Sequence, residues 1–305
     1  MTQQLNDGVR LLQAQAHKSN GTSGGSGMAC CHTLCPRLDG GYRKNWLGSI
    51  KSWSDSNPSE VITVLLTNPE GLPPSSFATA YQSTGMTSKS YTPQSSSGSA
   101  GAVARDSWPT LGSLIDASTP IVNFLAQQAD TSSVAYLLPE FNNIWENPFN
   151  QVDVPPFNCS VDRIASGASP SEMMYLINHF KDLSFAGSTT LLYPDKANLS
   201  TTNSQDSIMT DADNCASSSA GAGRYPNFIL LDFYETPAQG PFRAVAAMNG
   251  ITYQPAATAS NSQKTGSNSG SSSSSSGAAS LALDFSMAKQ LGVLAAIGAA
   301  ASFVL

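Results

Sequence analysis

Val9 to His17 reads VRLLQAQAH, a run short and apolar enough for a buried strand and closed by a titratable ring. Three other runs share that form: MACCH closes at His32, MMYLINH at His179, and NFILLD at Asp232. The chain has only three histidines, so each of them ends such a run. Short buried strands that repeatedly finish in a titratable side chain predict a parallel sheet or barrel whose strand ends converge on one polar site. Alternation within the first run puts Leu11, Gln13, Gln15 and His17 on one face and Arg10, Leu12, Ala14 and Ala16 on the other. Amides turned toward a barrel interior need partners there, so Gln13 and Gln15 are either a satisfied core network or part of a site.

Elements alternate outward from this run. A Gly/Ser loop at Asn20 to Gly27 leads to MACCH, then NWLGSIKSWSDSNP reads as a helix stopped before Pro58. VITVLLTN, Val61 to Asn68, is a continuous apolar strand, and Gly71 to Asp106 is mostly loop with a short helix near Phe77 to Gln82. A helix at TLGSLIDA precedes the strand IVNFLAQ, Ile121 to Gln127, and a strand end near Leu138 opens a long excursion rich in Pro, Asn and aromatics. MMYLINHF and NFILLDF are two more buried strands around a polar stretch from Tyr193 to Tyr225, and PFRAVAAMNG, Pro241 to Gly250, is a closing helix with a glycine stop. Repeated strand, helix, strand predicts an α/β fold with a parallel sheet, of TIM (β/α)8 barrel type, over residues 1–256.

Composition narrows the function classes. Charged residues are 12% of the chain, against roughly 25% in ordinary soluble domains, while Ser, Thr, Asn and Gly are abundant. A net charge of -6 without a basic block excludes nucleic acid as the expected partner. Cys30, Cys31, Cys35, Cys159 and Cys215 lack the paired CxxC spacing of a zinc site. Sequons at Asn20, Asn158 and Asn198 fit an oxidising, extracellular setting, in which Cys31 with Cys35 and Cys159 with Cys215 are the preferred bridges, although sequence leaves the connectivity open. Neither a metal nor a cofactor is expected.

Past Pro255 the composition turns to Ser, Gly, Asn and Thr, which makes residues 257–277 a flexible stalk. The final LGVLAAIGAAASFVL is fifteen residues long, short of the roughly 20 that span a bilayer. Small residues at Gly277, Ala278 and Ala279, a polar spacer and that tail match a glycosylphosphatidylinositol (GPI) attachment signal over residues 278–305. The chain is thus expected at the cell surface, on the outer membrane leaflet or the cell wall. A tail-anchored or buried C-terminal helix is the alternative.

His32, held at a strand end, suits acid/base work, and Asp232 after ILL is costly to bury without a cation or histidine partner. Bland alternatives are a structural histidine and a capping or salt-bridged carboxylate. The succession QLNDGVRLLQAQAH, CCHTLC, WSDSNPSEVITVLLTN, DSWPTLGSLIDA, LINHF and GRYPNFILLDF resembles the secreted fungal proteins related to phosphatidylinositol-specific phospholipase C. The resemblance runs from about Met1 to Gly250 and implies a TIM barrel and a phosphoric diester hydrolase. It implies internal attack by an inositol 2-hydroxyl on the phosphodiester, with one histidine as base and a second as acid. His32 matches the second histidine, the general acid, and Asp232 the late acidic partner. The family's first histidine ends a strand that the resemblance puts before Met1, so the chain is expected to lack its first barrel strand and half of the acid/base pair.

Gln13 and Gln15 stand where calcium-dependent relatives carry acidic ligands and metal-independent bacterial relatives an arginine. They can hydrogen-bond a phosphate but not neutralise it. His17 and His179 become candidates for lining the substrate site. The expected substrate is a phosphoinositide-like or other phosphodiester lipid. The alternative is a non-catalytic surface protein that keeps the barrel; a glycoside hydrolase using Glu140 and Asp232 is a third reading.

Overall fold

The structure, a computed structural model, describes residues 1–18, 28–31, 39–93, 101–152, 154–185, 192–255 and 302–304, with the backbone alone at 28–31, 39–44 and 302–304. A first turn of helix, α1 (Thr2–Asp7), enters the sheet strand β1 (Leu11–Lys18) through Gly8 at φ 108, where a Cβ would lie 3.1 Å from the Phe242 ring. The left-handed turn and the close ring both favour glycine there. β1 folds back on β2 (Met28–Cys31), which pairs with β3 (Asp39–Tyr42), and α2 (Arg43–Ser56) leads on to β4 (Ile62–Thr67). α3 (Pro74–Thr84) starts on a proline and stops at left-handed Gly85, and α4 (Leu111–Asp116) is capped by Thr110, whose side chain accepts from the Ser113 N–H. β5 (Ile121–Leu125), β6 (Leu137–Pro139), the short helix α5 (Glu140–Asn143) and β7 (Ile144–Glu146) follow. The late half holds β8 (Met174–Asn178), a hairpin of β9 (Asp182–Ser184) and β10 (Leu192–Pro194), α6 (Leu199–Thr202), α7 (Gln205–Ser217), β11 (Phe228–Asp232) and α8 (Gly240–Met248). Residues 302–304 form β12 (Ser302–Val304).

The main sheet runs β6-β5-β4-β1-β12-β11-β8-β7. β1, β4, β5 and β6 are mutually parallel, as are β7, β8 and β11, so their C-terminal ends share one rim within each group. This is the parallel α/β order that the sequence predicts; a complete eight-stranded parallel barrel is not shown among the described residues. The place between β1 and β11 is held by antiparallel β12, and β6 and β7 are joined by α5 rather than by strand pairing. Nothing in this arrangement supports the expectation that a strand is lacking.

Register sorts the side chains. Gln13 lies opposite Leu65 and Leu65 opposite Phe124, while Gln15 lies opposite Thr67, so these residues share the inner face. Asn123 points the other way, toward α3, where its carboxamide accepts from the Tyr81 hydroxyl at 2.9 Å and donates to Ser90 at 3.0 Å. β4 is mostly apolar because it is covered on both sides: Ile62, Val64, Leu65 and Leu66 are all buried, with Thr63 and Thr67 half-buried. The excursion after β7 is fastened by the Cys159–Cys215 disulfide, which ties it to α7, with Cα atoms 5.3 Å apart.

Candidate active site

Four strands, β1, β7, β8 and β11, bring polar groups to the rim of the inner face. At the end of β1, the His17 ring sits between the Glu70 carboxylate, 3.0 Å from Nδ1, and the Gln15 amide, 3.4 Å from Nε2. Glu70 also accepts the Lys18 N–H at 2.8 Å. That backbone hydrogen bond, and next the one from His17, hold the Glu70 carboxyl below the usual carboxylate range. Gln13 and Gln15 stand on the inner face, as their alternation predicts.

At β8 the run MMYLINH delivers two side chains in opposite directions. Asn178 turns inward: its Nδ2 donates to Glu146 Oε2 at 3.1 Å and to the Asn147 carbonyl at 2.9 Å. His179, one residue later, turns outward and is fully buried against α6 and α7. Both ring nitrogens meet acceptors there, Asp211 Oδ2 at 2.7 Å from Nδ1 and the Thr202 carbonyl at 2.8 Å from Nε2, and Phe157 lies on the ring at 4.1 Å between centroids. His179, expected to line the substrate site, thus lies on the face opposite Asn178, because side chains alternate along a strand.

Beside Asn178 lies an acid pair. Glu140, just past β6, and Glu146, at the end of β7, are 1% and 2% exposed. Burial first, and the neighbouring Glu146 second, push the Glu140 carboxyl well above its ordinary range, and the two carboxyls hydrogen-bond to each other. Glu146 also takes the Nη2 of Arg163, whose guanidinium lies 4.4 Å from the Phe149 ring centre. Glu140 thus pairs with Glu146, whereas the glycosidase expectation set it opposite Asp232.

β11 ends in Asp232, buried at 3% exposure, with no hydrogen bond to Oδ1 among the described residues. Burial pushes its carboxyl up to about 7; Asp182 adds to the rise and Lys196 opposes it. Burial also raises Asp182, to about 6. The next residue, Phe233, takes φ 51, a left-handed conformation that costs an aromatic residue roughly 1–2 kcal/mol, and its ring carries Lys196 Nζ at 4.5 Å. Asn203 holds the turn, with Nδ2 donating to the carbonyls of Asp232, Phe233 and Thr236.

His32, Cys35, Asn20 and the Gly277, Ala278 and Ala279 segment lie outside the described residues, and Cys31 is described by its backbone alone. The Cys159–Cys215 bridge forms as expected. Asn158 and Asn198 are both exposed, as glycosylated asparagines need to be. Among the described residues no group of three His, Cys, Asp or Glu side chains could hold a metal, and no helix is long and apolar enough to cross a membrane. Gln13 and Gln15 do not fit calcium, a hard cation that wants carboxylates where these offer neutral amides. Sequence reading missed Glu146, Arg163, Asn178, Asp182 and Lys196. Inward parity would have picked Asn178 over His179; the others come from the long excursions, which carry no period.

The family model described as PI-PLC X 1 matches residues 1–249. The chain is 35% identical over 256 residues to the PI-PLC X domain-containing protein 1 of Arthroderma benhamiae, covering 82% of this chain and 77% of that protein. It is 34% identical over 259 residues to an uncharacterized secreted protein of the same fungus, covering 82% of this chain and 55%, about half, of that relative's length. No solved structure matches.

Proposed function

Since the chain belongs to the PI-PLC X family, we propose that it is an extracellular phosphoric diester hydrolase of phospholipase C type, acting on a lipid or glycolipid phosphodiester. The observation that carries this reading is the end of β11, where Asp232 is buried, near-neutral in titration and set on a strained turn that Asn203 clamps. Such a carboxyl, when ionised, can orient a histidine and stabilise the charge it gains on taking a proton.

In the proposed step the attacking hydroxyl of the headgroup loses its proton to a general base and its oxygen bonds to phosphorus. The bond from phosphorus to the lipid alcohol breaks, and His32 protonates the departing oxygen. Gln13 and Gln15 hydrogen-bond the phosphate, with His17 beside them. No metal takes part.

The test is inositol phosphate release from phosphatidylinositol vesicles by the full chain. We expect turnover that a chelator does not change, and a loss of about 10²-fold or more in His32→Ala, the scale of a lost general acid. Equal turnover by wild type and variant rules out His32 as the acid.

A second reading is a non-catalytic, surface-held protein that keeps the fold. It is favoured by the neutral Gln13 and Gln15 and by Asp232, whose described charged neighbours are Asp182 and Lys196. On either reading the C-terminal segment anchors the chain through GPI. Treating intact cells with a GPI-cleaving phospholipase should then release the protein, and retention on the membrane would count against the anchor.

A further inference from the structure

We propose that Arg163 is the cation that receives an anionic phosphate at the inner face, and that Glu140 and Glu146 position it. The phosphate's source rests on the hydrolase reading; the anion site does not. Arg163 is fixed to the sheet by its own backbone, since the Glu146 N–H donates to the Arg163 carbonyl at 3.0 Å and the Arg163 N–H to the Glu146 carbonyl at 3.2 Å. Its side chain then returns over the same residue, Nη2 on Glu146 and the guanidinium plane between Phe149 and Phe141, 4.4 and 5.6 Å from the ring centres.

Layering decides which charge faces outward. The two glutamates are almost fully buried, whereas the Arg163 side chain is 29% exposed, so the acids lie beneath the cation. Burial first, and the neighbouring Glu146 second, push the Glu140 carboxyl well above its ordinary range, which favours its neutral form beside Glu146. Arg163 needs only one counter-charge from below, and Asn178 takes up the remaining capacity of the Glu146 oxygen. Arg163 Nε is buried and has no hydrogen-bond partner among the described residues, which costs free energy until an acceptor meets it. A phosphate offers oxygens in the geometry of a guanidinium fork. Among the described residues of the late half, Lys181 is engaged with Asp195 at 3.2 Å and Lys196 lies over Phe233 beside Asp232.

Calorimetric titration of the full chain with myo-inositol 1-phosphate and with myo-inositol tests this. Arg163→Met should weaken the phosphate ligand by about tenfold or more, the worth of a charge-assisted pair, and leave myo-inositol unchanged. Lys196→Met, which removes the cation beside Asp232, should weaken phosphate binding less than Arg163→Met does. Should Arg163→Met not fold, Arg163→Lys, which keeps the charge and loses the fork, should show a smaller fall of the same kind.

The positioning role has its own signature. Wild-type affinity should fall as rising pH ionises Glu140, whose carboxyl burial holds above its ordinary range, and a second negative charge competes for Arg163; Glu140→Gln, which keeps a donor to Glu146, should lose that fall. Unchanged phosphate binding in Arg163→Met, no binding by wild type, or loss only in Lys196→Met would each overturn the proposal. Binding without lipid turnover would sink the hydrolase reading and leave this one standing.

Discussion

At the scale of single residues, Asn178 and His179 show how one step along a strand separates site from scaffold. LINH offers a histidine to a reader looking for chemistry, but the position facing inward is the asparagine, and the histidine is spent holding α6 and α7 against β8. Asp232 was legible because an acid after three aliphatic residues has to have a reason. Its protonation also makes a stability prediction. A carboxyl raised from 3.8 to about 7 stabilises the fold fully below its unfolded value, and that contribution is lost as pH rises through 7. Asp232→Asn, which mimics the protonated form, should therefore melt like wild type near pH 4 and higher than wild type at pH 8, by on the order of 1–3 kcal/mol. Thermal unfolding at both pH values reads this, and an equal shift at both would exclude the assignment.

At the scale of elements, the sheet was readable and its connections were not. β4, β5, β8 and β11 are runs with apolar side chains on both faces, a pattern that only a covered parallel strand tolerates. α7 escaped because QDSIMTDADNCAS is polar overall, and its buried stripe is only Ile208, Asp211, Ala212 and Cys215. The short β7 and its acid escaped inside a Pro- and Asn-rich excursion. That excursion carries Arg163 and is stapled to α7 by Cys159–Cys215 across a separation of 56 residues. Removing the bridge in Cys159→Ser should cost about 2–5 kcal/mol of stability. It should also weaken phosphate binding more than His17-side contacts, since the loosened loop holds the cation. A variant as stable as wild type, by denaturant melts, would contradict that weight.

On the scale of the whole molecule, low charge content and a net charge of -6 leave positive potential to be supplied locally. On the proposal above, Arg163 does so beside Glu146. The C-terminal segment carries two consequences at once, since GPI processing at Gly277 to Ala279 would remove β12 and uncover the edges of β1 and β11. The central claim is that the strand ends form a phosphodiesterase centre around Asp232. It is tested most directly by kcat on phosphatidylinositol vesicles at pH 7, comparing the full wild-type chain with folded Asp232→Asn. The account predicts measurable wild-type turnover and a fall of about 10²-fold or more in the variant; equal rates, or a wild type that releases no inositol phosphate, would contradict it.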